Sequence, residues 1–131
     1  MGFTAGEYAH DSLTLTAPLV LNLNDKQTAF GGTLATLCTI SGWTMVSMDC
    51  REAGFNIDIV VTESQIRYVA PVRTEQICAR AFRPDEALVA AFCDALGTKG
   101  SGALAISVNV DGDKPQAVMF HGHYFARLIE A

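Results

Sequence analysis

QTAFGGTLATLCTISGWTMVSM, residues 27–48, is the stretch whose reading decides the fold. No charged residue stands between Lys26 and Asp49. A Phe30-Gly31-Gly32 turn opens it, and Leu34, Leu37, Ile40, Met45 and Met48 then recur at roughly helical intervals, the spacing of an α-helix. Ala35, Cys38, Gly42, Trp43 and Val46 fill most of the gaps. Arg51 and Glu52 fall in the last turn, and Gly54 closes the helix. A helix on a protein surface carries a charged stripe. This one carries none, so it is expected to be buried on most sides. Thr, Ser and Gly interrupt it too often for a membrane span. The rest of the chain must supply the wrapper.

That remainder reads mostly as strand. Residues 12–18 alternate, with Leu13, Leu15 and Ala17 on one face. Residues 22–26 form a polar loop that leads into the helix. Residues 56–70 are β-rich, with Ile57, Ile59 and Val61 in one phase and Ile66, Tyr68 and Ala70 in the other. The slip near 62–65 predicts a bulge. A third strand is expected over 74–82. Pro84, Asp85 and Glu86 start a short helix carrying Leu88, Phe92 and Leu96, ended by Gly97. Residues 98–102 read as a linker and 104–110 as a fourth strand. Asp111-Gly112-Asp113 reads as a hairpin turn, and 117–128 as a fifth strand. Residues 1–11 are expected to be loose. One long helix after the first strand, followed by strands in hairpin-like succession, implies an α+β chain. Its expected architecture is the hot-dog fold, a curled antiparallel sheet wrapped around one central helix, as a single domain over 1–131.

Bulk properties narrow the function. Hydrophobic residues make up 50% of the chain against 18% charged, which predicts apolar surface covered by a second copy. A net charge of −5 without basic clusters argues against nucleic acid. Cys38, Cys50, Cys78 and Cys93 show no metal-ligand spacing and read as reduced thiols in or near the core. His121 and His123 share a strand face and read as surface histidines, so no metal is expected. No signal peptide is visible, and the expected compartment is the cytoplasm.

Three stretches carry a family resemblance: Ala17-Pro18-Leu19 into Asn22-Leu23-Asn24, Thr28-Ala29-Phe30-Gly31-Gly32 through Ser41-Gly42-Trp43, and Asp58-Ile59-Val60 through Ile66-Arg67-Tyr68-Val69-Ala70-Pro71-Val72. Over roughly Leu13 to Phe125 the chain resembles the putative thioesterase family named for the C-terminal domain of YiiD, within the hot-dog superfamily. The resemblance implies a homodimer, with a dimer of dimers left open. It implies a substrate acyl group carried as a thioester on the phosphopantetheine of acyl carrier protein or coenzyme A, with no resident cofactor. For some members it implies malonyl-acyl-carrier-protein decarboxylation, with the second Asn of the loop, Asn24 here, critical. Members carry a longer segment ahead of the first strand. Many related hydrolases also place an acid seven positions after the second glycine, where this chain has Thr39.

The candidate catalytic set is then Asn24 with the backbone of Phe30, Gly31 and Gly32. The opening amides of a helix lack acceptors within it and lie at the positive end of its dipole, so an oxyanion would be stabilised there. Asn22, Thr28, Thr39, Ser64 and Tyr68 form the candidate substrate-binding set. Asn22 and Thr28 lean towards holding the loop. Ser64 and Glu63 sit at the strand slip. Trp43 and Tyr68 suit the core, a dimer contact or an acyl-pocket wall. Arg67, Arg73, Arg80 and Arg83 are solvated charges or contacts for an acidic carrier. Thr39 faces the same way as Gly32, but a hydroxyl without a base activates water poorly. Decarboxylation needs no such base. The alternatives are a thioester hydrolase using Asp25, Glu63 or a partner residue, and a non-catalytic acyl-thioester binder.

Overall fold

Residues Gly31–Glu52 form one α-helix, α1. The structure, a computed structural model, describes residues 2–8 and 11–129. Its strands are β1 (Thr4–Tyr8), β2 (Ser12–Pro18), β3 (Ile57–Tyr68), β4 (Gln76–Phe82), β5 (Ser101–Val110) and β6 (Val118–Leu128), and α2 spans Glu86–Lys99. All pairings are antiparallel, in the order β1-β2-β4-β5-β6-β3. α1 touches β2 to β6, so the sheet curls around it as a hot-dog fold. Among the described residues no helix is long and apolar enough to cross a membrane.

Strict alternation builds the core. Leu13, Leu15 and Ala17 of β2, Ile77, Ala79 and Ala81 of β4, and Leu104, Ile106, Val108 and Val110 of β5 are buried. With Val118, Phe120, Tyr124 and Ala126 of β6 they enclose Leu34, Leu37, Cys38, Met45, Val46 and Cys50 of α1. Burial pushes the Cys38 and Cys50 thiols up to about 12, so both stay neutral near pH 7. Tyr124 lies across the middle of α1, and its hydroxyl donates to the Thr39 carbonyl at 2.8 Å. It fits because Gly42 has no side chain: a Cβ there would overlap the phenol. Gly42→Ala is therefore expected to destabilise the protein by about 1–3 kcal/mol through overpacking, read from the urea midpoint. An unchanged midpoint would mean that Tyr124 shifts freely.

Several expectations need correction. Within the leading segment expected to be loose, Thr4–Tyr8 pairs with β2 as β1, and the Thr4 and Thr16 hydroxyls share a 2.8 Å hydrogen bond; residues 1, 9 and 10 of that segment lie outside the described residues. Gly97 does not end the second helix. α2 continues to Lys99 and is closed by Gly100 at φ 78, a left-handed cap that suits glycine. Residues 98–102 are thus helix end and strand start rather than linker. The 111–117 segment is a longer loop than a tight hairpin, because the Asp111 carboxylate accepts the Gln116 amide and Asp113 N–H reaches the Pro71 carbonyl. Cys78 is exposed, facing out from β4. α1 is wrapped on most sides, as expected, and one side stays open. Gly32, Ile40 and Trp43 are exposed, and that uncovered side carries no charge.

Arg83 is not a solvated charge either. Its guanidinium meets the Asp49 carboxylate at 2.7 Å, with the two side chains 18% and 2% exposed. It also donates to the Tyr8 hydroxyl at 2.8 Å, and Tyr8 donates to Glu52 at 3.2 Å. The end of β4, the last turns of α1 and β1 are tied at this point.

Candidate active site at the opening of the central helix

The loop before α1 is held by two asparagines with different duties. Asn22 is buried. Its N–H donates to the Leu19 carbonyl, its carbonyl accepts the Phe30 amide at 2.8 Å, its amide nitrogen donates to the Pro18 carbonyl, and its side-chain oxygen accepts the Thr33 hydroxyl. It is a structural hub that holds the loop, with these polar groups committed inward. Asn24 is half-buried. Its side-chain oxygen accepts the amides of Lys26 at 2.9 Å and Thr28 at 3.0 Å, and among the described residues its amide nitrogen donates once, to the Thr28 hydroxyl at 2.7 Å. The turn it closes holds Gln27 at φ 62, a left-handed conformation that needs such support.

This bonding fixes the chemistry open to Asn24. Two backbone donors saturate the carbonyl oxygen and so determine which way the amide points. One N–H of the amide nitrogen remains. Thr28, which stays close by, is a positioning group for it. The arrangement can donate to a substrate oxygen and cannot act as a base.

At the helix opening, Phe30 requires a correction. Its amide is spent on Asn22 and is not available to a substrate. Leu34 N–H already bonds the Phe30 carbonyl, and no side chain caps the helix. The amides of Gly31, Gly32 and Thr33 make no hydrogen bond among the described residues. Thr33 was missed in the sequence, where the glycine pair alone drew notice. The first-turn rule of orphan donors would have included it.

Two aromatic rings flank these amides. The Phe30 ring, 55% exposed, folds over Gly32, where a Cβ would lie 2.6 Å from its edge. The Tyr68 ring lies 3.8 Å from the corresponding point at Gly31, and its hydroxyl donates to the Gly31 carbonyl at 3.0 Å. Ser64 and Tyr68 pair with Gly122 and Val118 of β6, both buried, so they share the helix-facing side of the sheet. A bulge between Val61 and Glu63, near the expected slip, sends Glu63 the other way. Glu63 pairs with exposed His123 on the outer face, which removes it from the helix opening. The Thr39 hydroxyl donates to the Ala35 carbonyl at 2.8 Å. His121 and His123 are exposed, with rings 5.2 Å apart. Trp43 is 44% exposed and Tyr68 53%, so neither belongs to the core.

Comparisons agree with the fold. A family model described as "Putative thioesterase (yiiD_Cterm)" matches residues 1–128. A Chlorobaculum tepidum protein of unknown function is 36% identical with a TM-score of 0.92, covering 98% of this chain and 84% of its own. A putative thioesterase from Shewanella oneidensis is 26% identical with a TM-score of 0.83, covering 95% and 83%. A Pseudomonas aeruginosa protein described as a probable thioesterase shares the fold at 15% identity and a TM-score of 0.71, covering 97% and 83%. The family model spans nearly the whole chain, and the chain belongs to the YiiD C-terminal putative thioesterase family of hot-dog proteins.

Proposed function

We propose that this protein is an acyl-thioester enzyme and that its reaction is decarboxylation of a malonyl thioester carried on acyl carrier protein or coenzyme A. The observation that carries the reading is the set of three amides at Gly31, Gly32 and Thr33 that are unbonded among the described residues, with a further Asn24 N–H in the loop that leads into the same helix. The bond between the malonyl carboxylate and its α-carbon breaks, and carbon dioxide leaves. The electron pair passes into the thioester carbonyl to give an enolate. Amide donors aimed at that oxygen each stabilise it by roughly 2.7–4 kcal/mol. A proton from water then returns to the α-carbon, leaving an acetyl thioester. No base is required, which suits a site with Thr39 on the helix and Glu63 on the opposite sheet face.

Thioester hydrolysis is the second reading, supported by the names of the family and of the Shewanella relative. It requires a base from Asp25 or from a second copy of the chain. A homodimer belongs to the proposal. β3 is a twelve-residue edge strand with Val60 and Val61 exposed, and it borders the uncharged, uncovered side of α1. A long exposed edge is a template for pairing. A second copy pairing there would also close the site around Ile40, Trp43 and Tyr68.

Incubating the protein with malonyl-, acetyl- and longer acyl thioesters of both carriers tests the reading. Carbon dioxide from the malonyl thioester, without free thiol, is the expected result. Free thiol without carbon dioxide would replace it with hydrolysis, and neither product would leave a non-catalytic binder.

A further inference from the structure

We infer that Tyr68 is a positioning residue: its hydroxyl, through the Gly31 carbonyl, holds the first turn of α1 so that the amides of Gly31, Gly32 and Thr33 point at the reacting oxygen. The inference rests on the acyl-thioester reading above and adds to it the device that keeps its donors aligned.

The need for such a device follows from the local sequence. α1 begins with two glycines and has no side-chain N-cap bond. Glycine is the least constrained residue and costs about 1 kcal/mol relative to alanine inside a helix. An uncapped Gly-Gly start is therefore prone to fray. Fraying would scatter the donors that an oxyanion site must hold fixed before reaction. Most helices solve this with a Ser, Thr, Asp or Asn cap, but such a cap spends an opening amide on its own side chain. Here those amides stay free. The fastening is on the carbonyl side instead.

Tyr68 supplies it. It is the last residue of β3, a strand anchored along β6 through residues 57–68. The next two amides, of Val69 and Ala70, both bond the Ala117 carbonyl, so the strand end is held. From that base the phenol reaches across to the Gly31 carbonyl at 3.0 Å. That carbonyl also faces the Ala35 amide in the regular helical pattern, and its second lone pair takes the phenol. The absence of a side chain at Gly31 leaves the ring in ordinary contact at 3.8 Å. The ring is 53% exposed, so core packing alone does not account for its orientation. Burial raises the phenol pKa, so the hydroxyl remains a donor over the range in which acyl thioesters are handled. Asn24 and Tyr68 thus steady the site from two sides, one from the loop and the other from the sheet.

Tyr68→Phe removes the hydroxyl and leaves the ring. With malonyl thioesters as substrate, kcat is expected to fall about tenfold, the worth of one hydrogen bond, while KM stays within about twofold. Hydrogen exchange at the Leu34 and Ala35 amides, whose acceptors are the carbonyls of Phe30 and Gly31, is expected to quicken, with the melting temperature little changed. Unchanged exchange, unchanged kcat, or a rise in KM alone would each overturn the inference. A wild-type protein inert towards every thioester overturns the acyl-thioester reading and this inference with it. An active wild type with unchanged exchange in the variant overturns this inference alone.

Discussion

Asn24→Asp is expected to fold like the wild-type protein and to lose turnover by about 10²–10³-fold, the cost of one oxyanion donor. The substitution is nearly isosteric. A carboxylate still accepts the amides of Lys26 and Thr28, which bond the Asn24 side-chain oxygen. The Thr28 hydroxyl, now an acceptor for the amide nitrogen, can turn and donate instead. The other N–H is lost, and a negative charge stands in its place where the account puts an anionic substrate. Asn24→Ala is a different experiment, because it also strips the turn of its acceptors and leaves Gln27 unsupported at φ 62. Comparing kcat and melting temperature across the two variants separates donor from turn. Asn24→Asp with wild-type kcat would show that the remaining amide hydrogen is not used.

The second large effect is on stability. Arg83→Met is expected to cost about 3–5 kcal/mol, because it leaves the buried Asp49 carboxylate without its guanidinium. The same change releases Tyr8 from Arg83 and so loosens β1. Asp49→Leu made together with Arg83→Met should recover most of the loss, since an apolar pair of similar volume avoids burying a charge whose guanidinium is gone. Urea unfolding of the two singles and the double closes the cycle. A single-variant loss under about 1 kcal/mol would indicate that the pair behaves like a solvated one.

The parts of the fold legible in the sequence were those carried by periodicity. α1 announced itself through an uncharged run with helical spacing, and β2, β4, β5 and β6 through alternation that matches their buried faces. The bulge near Thr62 was legible as a phase slip. What failed depended on partners distant in the chain. β1 is short and contains a glycine, and its order comes from β2 and from Tyr8 meeting Arg83. Asp49 and Arg83 lie on different elements, so their pairing leaves no local trace. Gly97 looked like a helix stop, but the left-handed position that glycine favours is at Gly100.

The site divides in the same way. The loop asparagines and the glycine pair were visible as residue types, but their bonds were not. Asn22 turned inward, the Phe30 amide was taken, and Thr33 joined the free donors only once the hydrogen bonds were traced. Thr39 lies on α1 with its hydroxyl turned back onto Ala35. Glu63 could be placed on the outer face only after the bulge and the register with His123 were known.

A crystal structure with a stable malonyl-thioester analogue tests the central claim most directly. The account predicts the oxygen equivalent to the thioester carbonyl within about 2.7–3.1 Å of at least two of the amides of Gly31, Gly32 and Thr33. An analogue bound with that oxygen elsewhere, or those amides bonded to protein acceptors in the complex, would contradict it.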